Sequence, residues 1–251
     1  MEKLFLIIEL MIKKLILLLL SFFDFFHQRK IIRFLSKNNL TKIDILFDVG
    51  AHKGESINLF LNNMNVKKII SFEPSPINYL LLKDFKKHYF KKFDKTEILI
   101  ENIGLGNENK EINFKQLEES SSSTMKEINE KSTYFKRKFK LLNSFDKKKK
   151  YKVLKVEITT LDDYMNLNNI DKISFLKIDT EGFEYEVLKG LKKKIQLVDL
   201  IMFEHHYDNM IIKDYTFRDI NNLLIVNNFF QIYKTKMPFR KTFEYIYVKK
   251  S

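Results

Sequence analysis

Three groups of side chains have types and spacing suited to chemistry. These are Asp48 with Gly50 and Gly54, then Glu73, then the acids Asp179, Glu181 and Glu204 with His205 and His206 beside them. The first group stands in Phe47-Asp48-Val49-Gly50-Ala51-His52-Lys53-Gly54, after the apolar run Ile43 to Phe47 and before Ser56-Ile57-Asn58-Leu59-Phe60. That order reads as strand, glycine turn and helix. Glycine at 50 and 54 lets backbone approach a ligand where a Cβ would obstruct it. Glu73 follows another apolar run, Lys68 to Phe72. Its carboxylate therefore sits at the carboxyl end of a strand, where it can accept both hydrogen bonds of a ribose diol. The two blocks together predict a nucleoside pocket.

The elements that must position these groups alternate. Strand-like runs Ile43 to Phe47, Lys68 to Phe72 and Ile98 to Ile103 are separated by helical patterns reaching Asn63 and spanning Ile77 to Phe90. Alternation of this kind implies parallel strands joined by helices. After the turn Gly104 to Asn109, Glu111 to Lys115 can return as a short strand. Residues 118–155 form a Ser- and Lys-rich insertion that reads as loop with one helix. Thr160-Leu161-Asp162-Asp163 opens a capped helix, Ile173 to Ile178 and Leu197 to Phe203 supply two strands, and Phe183 to Lys193 and Tyr215 to Asn227 two helices. The closing runs Phe229 to Thr235 and Phe243 to Lys249 read as an antiparallel hairpin. A nicotinamide-binding sheet would continue with another parallel strand, and GxGxxG is absent, so the ending points to a methyltransferase-like sheet.

Composition excludes other chemistry. The chain has 251 residues, 45% of them hydrophobic, enough for one large core in residues 41–251 and an appendage in residues 1–40. It has no cysteine, which removes disulfides, thiolate nucleophiles and cysteine zinc sites and fits a reducing compartment. The formal charge of +13 is concentrated in residues 1–42 and 126–155. Leu4 to Phe26 is strongly apolar. At about 100° per residue, Glu2, Lys3, Glu9, Lys13, Lys14, Ser21, Asp24, His27 and Gln28 fall within an arc of about 140°. The pattern favours a helix lying in a membrane surface, or docked on its own domain, over a spanning helix. The clean run Leu15 to Leu20 falls well short of the roughly 20 apolar residues a span needs. No small-residue cleavage site follows it, as a removed signal peptide would require.

The motifs, taken in order along the chain, resemble the FkbM-type methyltransferases, which use S-adenosylmethionine. The resemblance rests on Phe47 to Gly54, Phe72-Glu73-Pro74-Ser75-Pro76, Thr160-Leu161-Asp162-Asp163, Leu176 to Glu184 and Phe203-Glu204. It spans about Ile43 to Lys249, and that family usually carries Asn where this chain has His52. It implies an α/β fold with a seven-stranded, mostly parallel, Rossmann-like sheet, helices on both faces and the antiparallel hairpin at its end. It also implies O-methylation of a sugar, glycolipid or small hydroxylated metabolite.

In such a fold ligands lie over the carboxyl ends of the strands. Asp48 would brace the turn Gly50-Ala51-Gly54 beside the methionine part of the cofactor, Glu73 would hold the ribose, and Asn102 and Ile103 would flank the adenine. Asp179 and Glu181 read either as the acceptor-side base or as caps of the following helix. His205 is assigned to the acceptor side with them. The Glu204-His205-His206 cluster has oxygen and nitrogen ligands a divalent ion would accept, but adjacent histidines on a strand point to opposite faces, and no metal ligand is assigned.

Two rivals remain. The basic balance would suit an RNA methyltransferase. Against it, the Asn/Asp-Pro-Pro-aromatic motif common in base methylation is absent after the fourth strand, so nucleic acid is not the expected partner. A non-catalytic module could use the basic insertion, with Lys147 to Lys150, to hold an acidic membrane or protein. The reading adopted is a cytoplasmic enzyme at the inner face of a membrane, in peripheral contact through residues 1–30, with Ser120 to Thr124 covering the acceptor.

Overall fold

The computed structural model describes residues 2–89, 93, 95–117, 120–142 and 151–250. The first half of the chain runs α1 (Glu2–Lys37), β1 (Lys42–Val49), α2 (Glu55–Asn63), β2 (Asn65–Phe72), α3 (Pro76–Tyr89) and β3 (Glu97–Glu101). The middle contains β4 (Gly104–Leu105), β5 (Lys110–Leu117), β6 (Glu127–Ile128), α4 (Thr133–Leu142) and β7 (Tyr151–Thr159). The chain then forms α5 (Leu161–Leu167), β8 (Ile173–Ile178), α6 (Glu184–Lys189), β9 (Val198–His206), β10 (Ile211–Ile212), α7 (Phe217–Val226), β11 (Phe229–Lys236) and β12 (Thr242–Lys249).

The central sheet has seven strands in the order β11-β12-β9-β8-β1-β2-β3. Strands β3, β2, β1, β8 and β9 pair in parallel, and β12 inserts antiparallel between β9 and β11. This is the expected architecture. Its central strands read as continuous apolar runs because both faces are covered. Period-two alternation divides them: Phe47, Ile70, Leu176 and Phe203 enter one core, and Leu46, Ile69, Phe175 and Met202 the other.

The insertion is more regular than a loop. Strands β4, β7 and β5 form a second sheet, with β7 beginning at Tyr151, inside the expected insertion, and β6 pairs with β10. The helix expected in this region is α4. The lysine run Lys147 to Lys150 lies outside the described residues.

The polar arc of α1 turns Asp24 and His27 toward the protein, while Ser21 stays exposed and bonds the Leu18 carbonyl. Ile31 and Leu35 are buried in the second core, Phe34 stacks on Tyr233 of β11, His27 meets Glu244 of β12 at 2.8 Å, and Arg240 in the intervening turn reaches Asp24 at 2.8 Å. The opposite face leaves Met11, Leu15, Leu18, Leu19, Phe22, Phe25 and Phe26 exposed. The side chains of Glu2, Lys3, Glu9, Lys13 and Lys14 lie outside the described residues. Among the described residues no helix is long and apolar enough to cross a membrane.

Candidate active site

The parallel register of β1 and β8 sets Asp48 beside Lys177. Asp48 is fully buried; its Oδ2 accepts from Ser56 Oγ at 2.8 Å and its Oδ1 lies 3.2 Å from Lys177 Nζ. The same ammonium stands 3.4 Å from Asp179 Oδ2. Burial works against the Lys177 charge, but Asp48 and Asp179 outweigh it and hold the ammonium above its ordinary range. Asp48 thus braces the strand ends from beneath, while Asp179 faces the cleft above.

Above Asp48 the chain turns with Gly50 at φ +83, and the Gly50 N–H donates to the Phe72 carbonyl at 3.0 Å. A Cβ at Gly50 would stand 1.9 Å from the Asp179 carbonyl oxygen, so this glycine lets two strand ends meet. At Gly54, φ +96, the neighbour that excludes a Cβ is Leu82 of α3 at 2.8 Å. Ala51 is buried in the core below the turn, and the turn shows the cleft Gly50 and His52. His52 has φ +50, a left-handed conformation in which Asn and His are both enriched, which accounts for the exchange at this position.

Glu73 is 4% exposed and lines the cleft. Its Oε2 accepts from the His52 N–H at 2.8 Å and its Oε1 from the Ser75 N–H at 2.9 Å. Burial pushes the carboxyl up to about 7, although these N–H groups and the His52 charge pull the other way. Asn102 is exposed and uses its Nδ2 to bond the Glu73 carbonyl at 2.9 Å, and Ile103 packs against the main core. The cleft wall beyond β3 is made by the next two residues, Gly104 and Leu105.

The acceptor side is built on the Asp179-Thr180-Glu181-Gly182 turn. Phe183 takes the cap position of α6 with no side-chain capping bond, so Asp179 and Glu181 do not act as caps. The fully buried Glu184 organises the turn: its Oε1 accepts from the Thr180 N–H at 3.2 Å and the Gly182 N–H at 2.9 Å, and its Oε2 from Tyr215 at 2.5 Å. Glu181 adopts φ +51, its carbonyl accepts from Thr124 Oγ1 at 2.7 Å, and its Oε2 lies 3.2 Å from His206 Nε2. Glu204 Oε1 lies 3.0 Å from the same nitrogen. Burial raises both carboxyls, and Asp179 adds repulsion to each. Burial opposes a charge on His206, but the Glu181 and Glu204 charges overcome it and hold the imidazole well above its ordinary range.

His205 does not join this group. Strand alternation turns it to the opposite face of β9, edge-on to Tyr207 at 4.8 Å, where burial and then the Lys213 and His206 charges push it down to about 3. The histidine on the site's face is His206. Other site residues carried no motif of their own. Lys177 was hidden in an apolar strand, although its spacing from Asp179 was readable as a shared face, and Ser120 reaches His52 Nε2 at 2.6 Å only through tertiary structure. A further link runs from Ser75 Oγ to Gln116 Oε1 at 2.5 Å and from Gln116 Nε2 to Ser123 Oγ at 3.2 Å. The serine loop therefore covers a cleft lined by Glu73, Asp179 and Glu181.

Residues 48–232 match the methyltransferase FkbM domain. The fold resembles that of a methyltransferase FkbM from Methylobacillus flagellatus, with a TM-score of 0.50 at 16% identity over 82% of this chain and 44% of that one. This chain thus spans less than half the length of that protein. It also resembles magnesium protoporphyrin IX methyltransferase from Synechocystis, solved with bound S-adenosylmethionine, with a TM-score of 0.50 at 8% identity over 89% of this chain and 80% of that one. At these identities the likenesses bear on the fold alone. No curated protein matches the sequence.

Proposed function

The chain belongs to the FkbM methyltransferase domain family, and from that premise we propose that it moves the methyl group of S-adenosylmethionine to a hydroxyl of a sugar, glycolipid or small metabolite. The observation that carries this reading is the lining of one cleft. Glu73, Gly50, Asp179 and Glu181 line it together, which supports a ribose held by Glu73 and a methyl group presented to the carboxylates across the Gly50 turn.

Transfer is an in-line displacement: the C–S bond of the sulfonium breaks as the C–O bond forms, and the hydroxyl proton leaves for a base. Asp179 is the base in this reading. It is the carboxylate beside the Gly50 turn, and Lys177 behind it anchors its Oδ2. The Ser120 to Ser123 roof keeps water from the transfer and contributes hydroxyls for a polar acceptor. Calorimetry with S-adenosylhomocysteine, followed by mass spectrometry of cell extracts supplied with methyl-labelled cofactor, tests the reading. Saturable binding and a labelled hydroxylated product are expected; absence of binding would refute it.

A second element of the reading is peripheral contact with an anionic membrane. The exposed apolar stripe of α1 runs into the exposed cations Arg29, Lys30 and Arg33 on its next turns. That combination suits a lipid surface with acidic headgroups.

A further inference from the structure

We propose that Glu181, Glu204 and His206 form a binding site for a divalent transition-metal ion of the Mn²⁺ or Zn²⁺ class, at the acceptor end of the cleft. One ligand atom from each lies within 4.8 Å of the others. His206 Nε2 is 3.0 Å from Glu204 Oε1 and 3.2 Å from Glu181 Oε2. An ion with bonds of about 2.0–2.2 Å and angles of about 90–110° sets its ligand atoms about 2.8–3.6 Å apart, and both distances from His206 Nε2 fall within that range.

A proton on Nε2 would give similar distances, and hydrogen-bond direction separates the two cases. His206 Nε2 and Glu181 Oε2 are both buried, yet neither makes a hydrogen bond. The other side of the ring is anchored: Nδ1 lies 3.1 Å from Thr242 Oγ1 and 3.7 Å from Asp208 Oδ2. A hydroxyl or carboxylate at one ring nitrogen is the outer support that metal-bound histidines use, and it leaves the Nε2 lone pair for the ion. When no ion is bound, the same two carboxylates, Glu181 and Glu204, favour a proton on the ring, and the ion would take that proton's place. The basic side chains that act on these carboxylates have other partners: Lys138 on Ser122, Arg240 on Asp24 and Lys213 on the His206 carbonyl. One imidazole with two carboxylates favours Mn²⁺, Fe²⁺ or Zn²⁺ over Mg²⁺ or Ca²⁺, whose sites are built from oxygen alone.

Glu181 lines the same cleft as Asp179. A role for the ion in drawing the acceptor hydroxyl toward Asp179 rests on the methyl-transfer reading; the binding of the ion does not. The test is titration of the chelator-treated full-length protein with Mn²⁺ by calorimetry, with pulsed electron paramagnetic resonance on the same samples. We expect one ion per chain, hyperfine coupling to a single imidazole nitrogen, and at least about tenfold weaker binding in Glu204→Gln and His206→Asn. His205→Asn should keep wild-type affinity and coupling.

Absence of saturable Mn²⁺ binding, absence of nitrogen coupling, or unchanged affinity in His206→Asn would overturn the site. The coupling is read on the wild-type protein and does not depend on how well a variant folds. S-adenosylhomocysteine affinity, measured in parallel, separates the two readings. Its retention without Mn²⁺ binding overturns the ion site alone, and Mn²⁺ binding without it supports the ion site while overturning the methyl-transfer reading.

Discussion

Glu73→Gln should make the ligand-free protein less sensitive to pH while weakening its hold on the cofactor. Burial raises the Glu73 carboxyl from 4.5 to about 7 in the folded chain, against the pull of the Ser75 and His52 N–H groups. The native state therefore holds this proton more tightly than the unfolded chain. The resulting stability is fully present below pH 4.5 and is lost as pH rises through about 7. Between about pH 5 and about pH 8 the loss amounts to roughly 2.5 kcal/mol, at about 1.36 kcal/mol per pKa unit. Urea unfolding of both proteins across that range reads it directly, because other titrating carboxyls cancel in the comparison. Cofactor binding should run the other way. The ionised carboxylate is the form that accepts from a ribose diol, so affinity for S-adenosylhomocysteine should rise up to about tenfold per pH unit until about 7 and then level off. The amide keeps one acceptor oxygen, and loss of the charged one should weaken binding by about 1.5–3 kcal/mol, roughly 10- to 100-fold. Parallel pH–stability curves for wild type and variant would refute the burial argument. Unchanged affinity in Glu73→Gln would remove the ribose assignment.

Asp179→Asn should abolish methyl transfer while leaving S-adenosylhomocysteine affinity within about twofold, since the amide keeps the volume but cannot take the proton; full turnover in a labelled-methyl assay would discard the base. Gly50→Ala should cost more than about 4 kcal/mol in urea unfolding or fail to fold, because the new Cβ would lie 1.9 Å from the Asp179 carbonyl oxygen in a left-handed backbone; near-wild-type stability would show that the strand ends can part. Replacing Leu15, Leu18 and Phe22 together with Gln should cut co-sedimentation with phosphatidylserine vesicles several-fold at unchanged domain stability, as these side chains are exposed on α1. Equal sedimentation of wild type and variant would remove the lipid contact.

The parts legible in the sequence were those set by local pattern. The apolar runs ending at Phe47, Phe72 and Ile178 marked parallel strands, and Glu73 was readable because a carboxylate directly after such a run has few other places to go. Strand parity was readable too, and it bears on the histidines. Leu200 and Met202 enter one core while Ile201 and Phe203 enter the other, so Glu204 and His206 continue the first face and His205 the second. The period-two rule alone pairs the acid with His206. Glu181 is different. Its side chain reaches that pair through a left-handed residue ahead of Gly182, held by Glu184 and Thr124, and no local pattern announces the contact. Nor does any announce the second sheet, whose β5–β7 pairing joins Leu117 to Tyr151 across the lysine-rich stretch.

Helix α1 shows most clearly why a correct local pattern can leave its partner open. A polar arc on a helix specifies only that something polar must face it. Water satisfies that condition, and so do Arg240 and Glu244, which lie more than two hundred residues further along the chain and meet Asp24 and His27 at 2.8 Å each. Once the hairpin takes the polar arc, with Ile31 and Leu35 inserted beside it, the apolar face is left uncovered by the described residues. The exposed side chains between Met11 and Phe26 thus face outward because the domain has bound the wrong-looking side of the helix, which is why the proposed lipid contact is tested on Leu15, Leu18 and Phe22.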